Sequence, residues 1–306
     1  TWGINNPVQY SETKIGRPGE LLVDRRFNPI DGHSYVYCVD LNGGGVVVYG
    51  TRDSRIVHRW KEFRSARGLA LGRGNNTLWV SETANDSVSS VNIGSYITGM
   101  PVASTQLKEA PLTRNIFSVG RSPQGMAHFP DRDGLLVANQ GEDSITELNT
   151  SSGDIVATIT VGAGPVDVSC TELVFLGFTP IGWFAWVSCE GGVGDPDGSV
   201  ALWWDNLLSN AARQASGFGS IQAIMTGFKN PKSAQYDYGM LTGGGQALRS
   251  AFVANRGGNF LSRVGINISG GGIGFTFLPS KLDIDVGNNP SSVCIDPVLP
   301  PNNIAP

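Results

Sequence analysis

Five polar residues follow a short recurring motif and are the best candidates for chemistry in this sequence of 306 residues. Each lies one or two positions after a proline or its equivalent: Glu20, Arg67, Gln124, Asp167 and Lys232. Two carboxylates beside two cations could bind a metal ion, or they could line a solvated rim. The choice depends on whether the fold brings these side chains together.

The other residue types that commonly bind metals or perform catalysis are poorly placed for either role. The histidines His33, His58 and His128 are far apart in the sequence and show no metal-ligand spacing. No CxxC pair occurs among the four cysteines, which are Cys38, Cys170, Cys189 and Cys294. The sequence therefore predicts no catalytic residue, no bound metal and no cofactor.

The candidate residues belong to a repeat. One pattern recurs, in which a short apolar strand ends near a glycine, a small polar pair comes next, and a proline begins another short strand. The equivalent positions are Pro18, Ala66, Pro123, Pro165, Pro231 and Pro290. The shortest spacing, from Pro123 to Pro165, has the length of one four-stranded propeller blade.

A second pattern comes after each start and completes a unit of four short strands. In the third unit a strand at Leu135–Asn139 precedes a Gly/Asp turn, and alternating strands are predicted at Ser144–Asn149 and Ile155–Val161. One such sheet cannot bury both of its faces, whereas a ring of sheets can. We therefore predict one all-β domain over residues 1–306, a β-propeller of about six four-stranded blades.

Residues 119–161 carry a family resemblance. The run that begins at Leu136-Val-Ala-Asn139, together with the junction Ile159-Thr-Val-Gly-Ala-Gly-Pro165, resembles a YVTN-type β-propeller repeat, a family related in form to NHL-type propellers. The resemblance implies the propeller fold. It implies function only broadly, because propellers of this family include surface proteins, binding modules and some enzymes.

The sixth blade has to be assembled from both ends of the chain. Its first strand is predicted at Ser291–Asp296, and Gln9–Ile15 is expected to supply an outer strand. The prolines after Asp296 make a further central strand there unfavourable. The blade is therefore either covered by irregular loops or left with an unpaired edge that invites a partner strand.

Ring closure would also bring two cysteines into adjoining blades. Cys38 and Cys294 are the best candidates for a disulfide, and four buried thiols are the alternative. An insertion at Asp205–Gly217 predicts a short helix. The consecutive Trp203 and Trp204 should face opposite sides of a strand, with at least one at a blade margin.

Composition excludes two classes of partner. The net charge is −4 and no basic run occurs, which argues against nucleic-acid binding. The most apolar run, Leu173–Val187, is interrupted by glycine and proline and is shorter than the about 20 residues of a spanning helix. It predicts two buried strands joined by a turn at Thr179–Gly182.

The sequence supports two hypotheses for function. The first is a non-enzymatic propeller that binds protein, or is a structural subunit, in an extracellular or surface assembly through long loops or the closing blade. The start at Thr1 fits either a removed leader or a piece of a longer product, and four glycosylation sequons give slight support for export. The second is a metal-dependent lactonase or hydrolase whose carboxylates, Glu20 and Asp167, converge in the central channel.

Overall fold

The fold is known from a computed structural model. It describes residues 17–24, 34–43, 45–51, 55–63, 65–94, 113–171, 174–176, 179–192, 196–206, 219–237, 248–269 and 276–293. Within these residues the chain forms five antiparallel sheets, and each sheet is built from consecutive strands.

The five sheets are the blades of a β-propeller. The first contains β1 (Pro18–Asp24), β2 (Tyr35–Asp40), β3 (Val46–Gly50) and β4 (Arg55–Trp60). The second contains β5 (Ala66–Leu71), β6 (Thr77–Glu82), β7 (Ser87–Asn92) and β8 (Arg114–Ser118). The third contains β9 (Pro123–His128), β10 (Gly134–Asn139), β11 (Ser144–Asn149) and β12 (Ile155–Thr160).

The fourth and fifth blades are longer. The fourth contains β13 (Pro165–Cys170), β14 (Val174–Leu176), β15 (Thr179–Cys189), β16 (Ser199–Asn206) and β17 (Ser220–Met225). The fifth contains β18 (Pro231–Asp237), β19 (Leu248–Asn255), β20 (Phe260–Ser269) and β21 (Thr276–Asp285). The four-strand order is regular, and β14 is an addition that pairs with the start of β15.

The turns explain why the pattern repeats so closely. In the second and third blades a short 3₁₀ turn links the two middle strands. The aspartate that ends each turn has a left-handed backbone conformation, with φ 49° at Asp86 and φ 51° at Asp143. Aspartate tolerates this conformation better than most residues. The carboxylates then accept hydrogen bonds from the next turn, Asp86 from the Ser122 N–H (2.9 Å) and Asp143 from the Gly164 N–H (2.8 Å).

Apolar clusters between neighbouring blades hold the fold together. The inner strands β1, β5, β9, β13 and β18 contact one another in that order. One buried cluster fills each of the four junctions, and its members come from both adjoining sheets. Trp79, Trp186 and Trp203 are among the largest fully buried side chains of these clusters.

The all-β propeller is therefore confirmed, and the described residues form five blades where about six were predicted. The five predicted starts from Pro18 to Pro231 are each the first residue of an inner strand. The predicted sixth strand is not formed over its described part, because Ser291–Val293 have no regular secondary structure. The rest of that strand and the proposed outer strand at Gln9–Ile15 lie outside the described residues.

Three local predictions need correction or fall partly outside the described residues. Trp203 and Trp204 do face opposite sides, but both are buried at blade junctions and neither lies at an exposed margin. Asp205 lies in β16, one residue before its end, rather than beginning a helix, and residues 207–218 lie outside the described residues. Thr179–Gly182 belong to β15, so the turn lies before Thr179.

The cysteines are thiols where they are described. Cys38, Cys170 and Cys189 are buried and form no disulfide. The expected bridge between Cys38 and Cys294 is thus not formed, and Cys294 itself lies outside the described residues. Among the described residues, no helix has the length and apolar character needed to cross a membrane.

Candidate functional site

All five residues predicted from the sequence lie at the start of an inner strand. Glu20 is in β1, Arg67 in β5, Gln124 in β9, Asp167 in β13 and Lys232 in β18. Since the inner strands contact one another in sequence order, these residues surround one end of the central channel. The structure divides them into two groups and leaves Arg67 exposed.

The first group is the carboxyl pair Glu20 and Asp167. Glu20 Oε2 accepts a hydrogen bond from the backbone N–H of Leu69 in the second blade (3.2 Å). Asp167 Oδ2 accepts one from the backbone N–H of Ala234 in the fifth blade (3.1 Å), and its Oδ1 accepts one from the Val168 N–H (2.9 Å). Each acid therefore links its inner strand to the next inner strand.

The surroundings of both carboxyl groups shift them towards the protonated form. Burial raises the pKa of Glu20 well above its usual range, and the neighbouring Asp167 carboxylate raises it further. Burial also raises the pKa of Asp167 to about 7, against the opposing effect of hydrogen bonds from Ala234, Ser233 and Val168. The channel thus holds two interacting acids, at least one of which titrates near neutral pH.

The second group crosses the rim of the channel from the third blade to the fifth. Gln124 Nε2 donates to Gln140 Oε1 (3.0 Å), and Gln140 Nε2 donates to Glu190. Glu190 forms a salt bridge with Lys232. Burial, followed by the charge of Arg256, lowers the pKa of Lys232. Gln124 and Lys232 are therefore joined through two residues that the sequence alone did not single out.

A sequence signal for those two residues did exist. Gln140 and Glu190 each come directly after the last residue of the second strand of a blade, at the end of the ring where the inner strands begin. The repeat position just before them is polar in three other places, where it is Glu82, Asn139 or Asn255. Those three side chains are buried inside their own blades, where Asn139 donates to Thr146 Oγ1 (2.8 Å) and Asn255 to Ser262 Oγ (3.0 Å).

The channel acids offer a metal ion an incomplete ligand set. Carboxylate oxygens suit hard divalent cations, but both Asp167 oxygens already accept backbone hydrogen bonds. Within the part of the chain that the structure describes, no three His, Cys, Asp or Glu side chains converge to hold a metal ion. His128 is half-buried, and its Nδ1 lies 2.6 Å from the Phe129 carbonyl oxygen.

A second candidate site is the opening between the fifth and first blades. Leu21 lies three residues after Pro18 on the side of β1 that faces away from the second blade, and it is 61% exposed. The equivalent residues of the other blades are at most 4% exposed: Leu69, Met126, Val168 and Ala234. Each of those is covered by the preceding blade, whereas no described strand covers Leu21.

The fifth blade also has side chains that no described blade covers, on the face turned away from the fourth blade. Phe252 lies three residues before Asn255. At the equivalent position of the other four blades the residue is covered by the next blade and at most 2% exposed: Tyr37, Trp79, Leu136 and Trp186. Phe252 is only partly buried. Leu282 on β21 is 60% exposed, and Ile284, opposite Leu261, is exposed as well. Arg263 lies between Phe252 and Leu282 on this face of the fifth blade. On the first blade, Cys38 and Val47 share the face of Leu21 but are buried. The opening therefore exposes apolar side chains on both sides without being apolar throughout.

No family model and no curated protein matches the sequence. Solved structures do match in fold. Hydrazine synthase of Kuenenia stuttgartiensis aligns with a TM-score of 0.54 at 15% identity, over 95% of this chain and 94% of that chain. A proposed 6-phosphogluconolactonase of Bacteroides fragilis also aligns at 0.54 and 15% identity, over 84% of this chain and 69% of that one.

A further match is virginiamycin B lyase of Staphylococcus aureus. It aligns with a TM-score of 0.51 at 14% identity, over 86% of this chain and 71% of that chain. At these identities the similarity shows the propeller fold alone.

Proposed function

We propose that this chain is a non-enzymatic β-propeller that binds another protein, as a subunit of an extracellular or surface assembly. The observation that carries the proposal is the exposure of Leu21, whose equivalents in the other four blades are all buried. Val23 in the first blade and Leu282 and Ile284 in the fifth blade are exposed beside the same opening.

The energetics favour an occupant for this opening. Each large aliphatic side chain removed from water contributes about 1.5–3 kcal/mol. Several such side chains on two facing surfaces are enough for a specific protein contact, even after the cost of association. Contiguous apolar surface of this kind is characteristic of interaction sites, whereas single exposed residues such as Ile155 are ordinary.

The test compares the partners of three forms of the protein. Wild type, Leu21→Lys and the control Ile155→Lys are used as bait in an extracellular and envelope fraction of the source cells. We expect one identified protein to bind wild type and the control, and to bind Leu21→Lys at least tenfold more weakly when both are purified. A solitary monomer without any partner, or a partner indifferent to Leu21→Lys, would contradict the proposal.

A second candidate function is a metal-dependent hydrolase or lactonase acting in the channel. The observation in its favour is the Glu20–Asp167 pair, since paired carboxyls with raised pKa are common in active sites. Two of the structural neighbours are named as a lactonase and a lyase. The incomplete ligand set argues for the binding function instead.

The two candidates can be separated with purified protein. Hydrolase activity on a panel of lactones, together with elemental analysis of the purified protein, tests the second candidate directly. The hydrolase proposal requires a bound metal and an activity that Glu20→Gln and Asp167→Asn reduce at least a hundredfold. Activity that is absent, or unaffected by both substitutions, would rule it out.

A further inference from the structure

We propose that Lys232 and Gln140 form an isopeptide bond within this chain, which ties the third blade to the fifth across the fourth. The inference concerns the rim of the channel and does not depend on the proposed function. It makes the rim a site of covalent self-modification. The lysine is the nucleophile, the glutamine carboxamide is the electrophile, and Glu190 moves protons between them.

Both reacting side chains are bound to one carboxylate. Lys232 Nζ contacts Glu190 Oε2, and Gln140 Nε2 donates a hydrogen bond to Glu190 Oε1. Because the two oxygens belong to the same carboxylate, the amine and the carboxamide are held side by side before any reaction. Holding two reactants together in this way removes much of the entropic cost of joining them.

Turns at the same end of the ring hold the carboxylate and the carboxamide in place. The Gln140 N–H donates to the Ser122 carbonyl (3.2 Å), and the Glu190 N–H donates to the Gly164 carbonyl (2.9 Å). Each bond ties the residue that follows a second strand to the turn that precedes the inner strand of the same blade. Lys232 is itself the second residue of β18. The long lysine side chain is therefore the part that has to move to bring Nζ onto the Gln140 Cδ.

The neighbours of Gln140 and Lys232 favour the reaction. Gln124 Nε2 donates to Gln140 Oε1 (3.0 Å), the oxygen on which negative charge develops when an amine attacks the carboxamide. Burial, and then the charge of Arg256, lowers the pKa of Lys232, which increases the share of uncharged, nucleophilic amine. Only 22% of the Lys232 side chain and 21% of the Glu190 side chain are exposed, so most bulk water is kept from the reacting atoms.

The step balances without an outside reactant. Glu190 accepts a proton from Lys232, the Lys232 Nζ bonds to the Gln140 Cδ, and the bond from Cδ to Nε2 breaks. Nζ gives up two protons in all, and Nε2 takes both through Glu190 and leaves as an ammonium ion. Glu190 is a carboxylate before and after, and nothing is oxidised or reduced. The product is an amide, and the chain is lighter by one ammonia.

A second salt bridge at this end of the ring lacks these features and provides a control. Lys229 Nζ lies 2.6 Å from Asp197 Oδ2, and about half of each side chain is exposed. Within the described residues the Asp197 carboxylate holds this lysine but no carboxamide. Lys229 should therefore remain a free amine.

Intact-mass spectrometry of the purified full chain, followed by peptide mapping, tests the bond. After incubation at neutral pH we expect a mass one ammonia below that of the sequence, and a branched peptide that joins Lys232 to Gln140. Lys232→Arg keeps the positive charge but has no primary amine, and Gln140→Met keeps the bulk but has no carboxamide. Both variants should keep their full mass. Glu190→Gln should slow bond formation at least a hundredfold, while Lys229→Arg should form the bond as wild type does.

A wild-type chain that keeps the full mass of its sequence after incubation would overturn the inference. So would a loss of ammonia that persists in Lys232→Arg, because it would come from another residue. Loss of water, with Lys232 joined to Glu190 instead of Gln140, would overturn it as well. Circular dichroism checks that each variant keeps the β-sheet spectrum of wild type, and the wild-type mass decides the question even where a variant does not fold.

Discussion

Asp167 and Glu20 show how a short sequence motif becomes a buried electrostatic feature. The repeat predicted both acids at the start of inner strands, and the structure brings them into one channel where burial favours the protonated form of each. Their hydrogen-bond donors could not be predicted from the sequence. Leu69 and Ala234 are 49 and 67 residues away, and only the closed packing of neighbouring strands brings their N–H groups near.

The titration of Asp167 leads to a prediction about stability. Its pKa of about 7 in the folded protein exceeds the ordinary 3.8, so the folded state holds a proton that the unfolded chain loses. The free energy of unfolding should therefore decrease as pH rises from about 4 to about 7, by at most about 4 kcal/mol because the channel admits some solvent.

Asp167→Asn isolates this contribution. Asparagine keeps only one of the two oxygen acceptors and cannot ionise. The variant should therefore be less stable than wild type at low pH, because one backbone N–H loses its acceptor, and should lose most of the decrease with rising pH. Urea denaturation of both proteins at several pH values measures the difference. If the stability difference between the two proteins did not change with pH, the account of Asp167 would be wrong.

Arg132 is a residue-scale feature that no sequence pattern singled out. Its guanidinium lies 2.8 Å from Asp205 and 2.9 Å from Glu147, and 3.9 Å above the Phe129 ring. Both carboxylates are almost fully buried. Glu147 and Asp205 come from different blades, so Arg132 joins the third blade to the fourth.

Removing Arg132 should be costly because it leaves two buried carboxylates without their cation. Arg132→Ala is expected to lower the free energy of unfolding by about 3–5 kcal/mol. Arg121→Ala is the matched control: this arginine is 68% exposed and lies 3.4 Å from Glu142, so its loss should cost less than about 1 kcal/mol. Chemical denaturation of both variants makes the comparison, and equal losses would refute the interpretation.

At the scale of single elements, the sequence predicted strands well and their surroundings poorly. The repeat predicted the first residue of each described inner strand. At Pro123, Pro165 and Pro231 the reason is local, since each proline follows a left-handed residue that defines the turn. The predicted turn at Thr179–Gly182 failed because Gly182 was interpreted as a turn residue. In the structure its φ is 134° within a strand, and that conformation suits glycine.

Glycine also controls how closely the inner strands approach. A Cβ added at Gly125 would come within 2.6 Å of Asp167 Oδ1 and 2.8 Å of the Val166 carbonyl oxygen. Alanine at this position must push β9 and β13 apart, so Gly125→Ala should cost about 1–3 kcal/mol of stability. It should also move the Asp167 carboxyl.

Gly287→Ala provides the control for that substitution, because no atom lies within 4 Å of the added Cβ. Thermal unfolding should show a lower midpoint for Gly125→Ala and a nearly unchanged one for Gly287→Ala. The pH dependence of stability in the Gly125→Ala protein should differ from that of wild type. If Gly125→Ala were as stable as wild type, the inner strands could not be packed as described.

At the scale of the whole molecule, the number of blades was the part that the repeat did not determine. Six motif copies were visible, but a motif at Pro290 specifies only a turn and not the strands that would pair with residues after Pro290. Completing a blade depends on contacts with distant strands. The described residues provide these for five blades and leave Leu21 of the first blade and Leu282 of the fifth blade exposed at one opening.

The most direct test of that opening is the reactivity of a cysteine placed at Leu21. In the native protein without partner, Leu21→Cys should react with a thiol reagent at nearly the rate of a free thiol. Leu69→Cys, at the equivalent position of the second blade, should react at least a hundredfold more slowly, as should the buried native Cys38, Cys170 and Cys189. If the cysteine at position 21 is as protected as the one at position 69, the ring is closed there and the central claim is wrong.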